Sequence, residues 1–176
     1  MDPTLPQFLS LPHINGENIE SGNGRLFDVK TVKEDEVKSG NYLFDAGDVL
    51  YSKLRPYLRK VAIAKERGLC SADMYPIKIN AKILIPRFLK WLLLSDAFSN
   101  YADGESRRSR MPKLNRKQLL SWDARLPCLS DQRVIVEEIE GKFSKTGKLL
   151  GDLNEHFGLI MNIEPALLRK AFSGEL

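Results

Sequence analysis

A mixed α/β globule followed by a long helix of coiled-coil type is the fold class that this sequence predicts, on three observations. Short β-rich runs bounded by glycine or charge recur through the first half of the chain. After residue 130 that texture stops, and apolar residues recur at a seven-residue spacing instead. Charge divides at the same place. Residues 1–129 hold 21 Lys/Arg and 15 Asp/Glu, whereas 130–176 hold 6 and 8, so the first part is basic and the second slightly acidic. The expected domains are therefore 1–129 and 130–176.

Within the first part, "FLSLPHI" (8–14) reads as a strand and "NGENIESGNG" (15–24) as turns, because Asn and Gly cluster there. "VLYS" (49–52), "VAIA" (61–64) and "MYPIKI" (74–79) are the next strands. Pro86 opens a helix expected to run to about Tyr101, with Phe88, Trp91, Leu92 and Phe98 on one stripe and Gly104 after its end. A short helix begins at Asn115, and "WDARLP" (122–127) forms a last strand.

In the second part Asp131 is placed to cap a helix. Val136, Phe143, Leu150 and Phe157 form one row of a heptad seam; Ile139, Leu153 and Ile160 form the other, with Thr146 as its polar member. Ile135, Leu149 and Ile163 widen the apolar face. Residues 131–160 would extend roughly 45 Å as a helix, while a domain of 130 residues has a radius of gyration of about 14 Å. Much of the seam therefore needs another helix. Pro165 is expected to interrupt the ladder, with Asn162 capping a fresh helix to about Phe172.

Two cationic segments bear on function. Lys53, Arg55, Arg59 and Lys60 lie within "KLRPYLRK", around Tyr57 and with no acid between them. "RRSRMPKLNRK" (107–117) is denser and again lacks an acid; it contains Arg107, Arg108, Arg110 and Lys113. Regularly spaced phosphates reward several cations on one face through counterion release. Lysine suits phosphates as a point charge, and arginine adds a fork that matches guanine O6 and N7. Duplex DNA is thus the expected partner. Arg107 and Arg110 are the expected base readers, with Lys53, Lys60 and Lys113 on phosphates.

Chemistry finds no comparable signal. No GxxxxGK[ST], GxGxxG or GxSxG occurs, nor the Asn-Pro-Pro-aromatic tetrapeptide of an amino-methylating enzyme. Glu140-Gly141-Lys142 matches a nuclease ExK on a heptad helix with no Pro-Asp ahead of it. His13 and His156 are far apart, and Cys70 and Cys128 form no CxxC. No catalytic residue, metal or cofactor is expected. "FLKWLLL" (88–94) is too short to span a membrane, and "MDPTLPQFLS" is no signal peptide, so a cytoplasmic location is expected.

The order "FLSLPHINGENIESGNGRL", "GDVLYSKLRPYLRKVAIA", "CSADMYPI", "RFLKWLLLS", "LPCLSDQRVIVEEIE" and "ALLRKAFSGEL" resembles the specificity subunits of type I restriction-modification systems. The resemblance implies a non-catalytic target recognition domain that reads one part of a bipartite DNA site. It also implies a conserved-region helix that docks on a second such helix and on methyltransferase subunits, and through them on restriction subunits. A complete family subunit carries two recognition domains and two long helices, and this chain has one of each. It also starts close to "FLSLPHI", which the resemblance expects to follow a short further segment. The chain is thus expected to be either a half-size subunit that dimerises or half of a longer one. A helical protein–protein adaptor with a merely solvated basic surface is the alternative. A small nuclease or methylation enzyme is the third reading, disfavoured by the missing motifs.

Overall fold

The computed structural model describes residues 1–106 and 111–173. They form two compact units, Met1–Arg133 and Val134–Leu176.

The first unit contains seven strands: β1 (Pro12–Ile14), β2 (Lys30–Thr31), β3 (Asn41–Phe44), β4 (Val49–Ser52), β5 (Val61–Ile63), β6 (Gly68–Ser71) and β7 (Met74–Ile77). They make a four-stranded sheet ordered β2-β1-β6-β3 and a three-stranded sheet ordered β5-β4-β7. Helices α1 (Pro86–Leu94), α2 (Asp96–Ser106) and α3 (Arg116–Ser121) follow. Helix α4 (Leu129–Ser173) leaves this unit and makes up the described part of the second.

β4 explains why "VLYS" does not alternate between apolar and polar residues. Successive side chains of a strand point to opposite faces, and here both faces are covered. Val49 and Tyr51 pack with Leu93, Leu94, Phe98 and Ala102 of the helices. Leu50 packs with Ile14, Phe44 and Cys70 of the other sheet. A strand buried on both sides reads as a continuous run.

Several expectations need correction. Only Pro12–Ile14 of "FLSLPHI" is strand, because Pro6 opens a three-residue 3-10 turn that ends at Phe8. The helix expected from Pro86 to Tyr101 is two helices broken at Ser95. There the serine turns extended (ψ 155°), donates its hydroxyl to Leu92 O at 2.7 Å and accepts from Phe98 N at 3.3 Å. Gly104 lies inside α2. Residues 122–127 form no strand; Trp122 packs edge-on against Phe98 instead, with ring centroids 4.8 Å apart. Helix α4 starts at Leu129, so Asp131 sits in its first turn and is not its cap. Pro165 lies inside α4, which continues to Ser173. A proline removes one ladder hydrogen bond, and the helix-favouring "ALLRKAF" after it carries the helix on.

β2, β3 and β6 were not anticipated. β6 lies between β1, to which it runs parallel, and β3. Its Gly68 is required by space: a Cβ there would lie 2.5 Å from Phe44 Cζ and 2.6 Å from Pro12 O.

Gln132, in the first turn of α4, is fully buried. Its amide donates to Ile83 O and Pro127 O and accepts from Ile85 N, each at 2.9 Å. One side chain thus ties the start of α4 to the segment that enters α1. No described helix is long and apolar enough to cross a membrane.

Candidate nucleic-acid interface

Backbone geometry brings the two cationic segments together. Leu54 and Lys113 form an isolated antiparallel bridge. Arg55 N donates to Pro112 O at 2.8 Å, and Leu114 N donates to Lys53 O at 2.9 Å. Residues 53–55 and 112–114, nearly sixty positions apart in sequence, therefore share one edge. Leu114 anchors that edge from below, fully buried among Tyr51, Phe98 and Ala102.

The connection from β4 to β5 has an unusual backbone. Pro56–Leu58 is a 3-10 turn flanked by Arg55 (φ 49°) and Arg59 (φ 47°), both left-handed. Each such residue costs roughly 1–3 kcal/mol. Neighbouring hydrogen bonds hold the conformation: Leu58 N to Arg55 O at 2.9 Å, Gly22 N to Arg59 O at 3.2 Å, and Ser21 Oγ to Leu58 O.

The four cations of this segment have different fates. Lys53 is 8% exposed; its ammonium donates to Ala72 O and lies 3.3 Å from Asp73 Oδ1. Arg59 pairs with Asp96 at 2.7 Å and donates through Nε to Ser99 Oγ at 3.1 Å. Lys60 donates to Gly16 O at 2.6 Å. Arg55 is exposed and has no side-chain partner among the described residues. Segment 53–60 contains no acid, but the fold supplies Asp73 and Asp96 from elsewhere, so much of the expected repulsion is answered internally. Tyr57 is 52% exposed at the tip of the turn.

On the second segment Lys113 and Arg116 are exposed. The Arg116 guanidinium lies 5.9 Å from the centroid of Tyr75, and the Lys53 ammonium lies 5.6 Å from the same ring. Asn115 caps α3 reciprocally with Gln118, each bond 2.9 Å. Gln118 also donates to Glu105 O at 3.0 Å, and its carbonyl accepts from the Tyr101 hydroxyl at 2.7 Å. Both described flanks of the segment are thereby fixed to α2. Arg107, Arg108 and Arg110 lie outside the described residues.

Beside the shared edge is an open depression of about 560 Å³, with Glu17, Ser52, Arg55, Ser71, Asp73 and Met111 on its walls. Its walls carry polar groups of both signs. Sequence reasoning missed Tyr75 on β7, Asp73 in the turn before it and Glu17 in the 3-10 turn Gly16–Asn18, which carry no local signal. Arg116 belonged to the cationic run but was not singled out.

The thiols and histidines play other parts. Cys70 is buried, which pushes its thiol up to about 12. His13 is buried between Asp35 (2.8 Å) and Asn41 (3.2 Å). Among the described residues, no three His, Cys, Asp or Glu side chains group to hold a metal ion.

In the second unit the seam faces solvent over most of its length. Val136 is buried and Ile139 half-buried, whereas Phe143, Leu150, Leu153, Phe157 and Ile160 are each at least half exposed, Leu153 at 65%.

The family model for the type I restriction modification DNA specificity domain matches residues 10–154. The chain is 37% identical over 164 residues to the Type I restriction enzyme EcoDI specificity subunit of Escherichia coli. That match covers 93% of this chain and 36% of the relative. It is 30% identical over 95 residues to the EcoBI specificity subunit of the same organism, covering 54% of this chain and 20% of that one. Among solved structures, the HsdS subunit from Thermoanaerobacter tengcongensis superposes with a TM-score of 0.74 at 24% identity. It covers 85% of this chain and 40% of its own. A chain from a structure of type I R-M complex assembly gives 0.72 at 24% identity, over 84% and 39%. This chain therefore spans less than half the length of these relatives. With a family match over residues 10–154 and a relative 37% identical over most of its length, the chain belongs to the type I restriction modification DNA specificity family.

Proposed function

We propose that this chain reads one part of a duplex DNA target and directs methyltransferase subunits, and through them restriction subunits, to it. The observation that carries the reading is the backbone bridge between Leu54 and Lys113. It makes one surface of two cationic segments that are remote in sequence. Arg55, Lys113 and Arg116 point charge outward there, and Tyr57 adds an exposed ring and hydroxyl. Phosphate contacts from the lysine would set register, while arginine forks and the polar depression would read base edges. Arg107, Arg108 and Arg110 belong to the same segment and share this assignment. Lys53 and Arg59 are held by ion pairs with Asp73 and Asp96, while Lys60, bonded to Gly16 O, lines the depression.

The chain itself performs no chemistry in this reading. Its second unit uses the seam of Phe143, Leu150, Leu153, Phe157 and Ile160 to meet a second conserved-region helix, from another copy or from the remainder of a longer chain. That helix pair also carries the docking site for the methyltransferase subunit.

Selection from a random duplex pool, with the methyltransferase partner present, tests the reading. A single enriched half-site motif is the expected outcome. A pool that stays random while the helix still captures its protein partner would favour a helical adaptor.

A further inference from the structure

We propose that Lys53 is a positioning residue that locks the second cationic segment into register, and that it makes no phosphate contact. The inference rests on the DNA-reading function proposed above. Lys53 lies at a three-way junction. Its backbone N–H donates to Asp73 O at 3.0 Å, and its carbonyl accepts from Leu114 N at 2.9 Å. Its ammonium turns inward to Ala72 O and to the Asp73 carboxylate, and lies 5.6 Å from the centroid of Tyr75. Arg116 lies near the same ring. One residue therefore ties the end of β4 to the β6–β7 turn and to the segment that carries Lys113.

Its side chain is 11% exposed while that of Asp73 is 53% exposed. The pair thus presents a carboxylate, not an ammonium, toward solvent on a surface proposed to meet phosphates. A carboxylate there weakens DNA binding through charge alone. Its presence follows if it fixes Lys53, and through Lys53 the register of residues 112–114 against 53–55.

Charge and register predict opposite signs for one substitution. If Asp73 acts only through its charge, Asp73→Asn tightens binding to every duplex. If Asp73 positions Lys53, Asp73→Asn weakens binding to the selected duplex and lowers the ratio of selected to scrambled affinity, by roughly tenfold for a lost base contact. Lys53→Met keeps the apolar stem and should lower the same ratio with the salt slope unchanged. A phosphate-contacting lysine would instead lose about one unit of slope at constant ratio.

The test measures Kd for the selected and a scrambled duplex at several salt concentrations. It uses wild type, Lys53→Met, Asp73→Asn, the double variant and Lys113→Ala, each with the methyltransferase partner. The double variant should match the worse single variant, because both act on one junction. Should Lys53→Met not fold, Asp73→Asn carries the test alone. A reduced slope for Lys53→Met, or tighter binding to both duplexes by Asp73→Asn, overturns the inference. If wild type fails to prefer any duplex, the proposed function fails instead.

Discussion

The two units use the same kinds of apolar residue to opposite ends. In the first, Leu50, Tyr51, Phe98 and Leu114 are sealed within the unit. In the second, Leu150, Leu153 and Phe157 stand in solvent along one helix. Fully burying such a side chain contributes roughly 1.5–3 kcal/mol, which the first unit realises alone. In the second those side chains stay exposed. Apolar content therefore says little about stability until the fold shows which residues have neighbours.

Perturbing the sealed side should have the largest effect. Phe98→Ala removes a ring that packs on Tyr51, Tyr101 and Trp122. It should cost about 3–5 kcal/mol in denaturant unfolding and abolish DNA binding with it. The matching change on the open side, Leu153→Asp, should leave thermal unfolding of the first unit unchanged. It should instead shift sedimentation toward monomer or break capture of the methyltransferase subunit. Unchanged assembly and capture would show that the seam is not the interface.

Gln132→Ala probes how the start of α4 is anchored. It leaves Ile83 O and Pro127 O without their donor and Ile85 N without its acceptor. A cost of roughly 1–3 kcal/mol is expected, with faster hydrogen exchange at the Ile85 amide. The smallest effect is expected at Tyr51, whose buried hydroxyl has no hydrogen-bond partner among the described residues. Burial pushes that phenol above its ordinary range. Tyr51→Phe should raise stability by up to about 1 kcal/mol, because an unsatisfied polar group leaves the core.

The same contrast explains what was legible in the sequence. The α4 seam follows a local period and needs no knowledge of tertiary structure, so it reads directly from residues 136–160. "VLYS" and "MYPI" announced themselves through β-branched and aromatic residues. β6 did not: "GLCS" opens on a glycine that its neighbours require, and its parallel pairing with β1 spans more than fifty positions. Both cationic segments were visible as composition. Their union through Leu54 and Lys113, and the pairing of Lys53, Arg59 and Lys60 with groups remote in sequence, depend on long-range contacts that no local pattern records. The break at Ser95 and the passage of α4 through Pro165 show local signals yielding to side-chain capping and to strong helical flanks.

Residues 53–55 and 112–114 share one edge, proposed above to contact DNA. The salt dependence of affinity for the selected and a scrambled duplex, in wild type, Arg55→Ala, Lys113→Ala and the double variant, tests that contact most directly. Each exposed cation that neutralises a phosphate contributes about one unit to the slope of log K against log salt. If the stitched edge contacts DNA as one surface, Lys113→Ala lowers the slope by about one unit, Arg55→Ala lowers the ratio of selected to scrambled affinity by roughly tenfold, and the double variant shows both losses. A slope and a ratio identical to wild type in all three variants would show that this edge does not touch DNA.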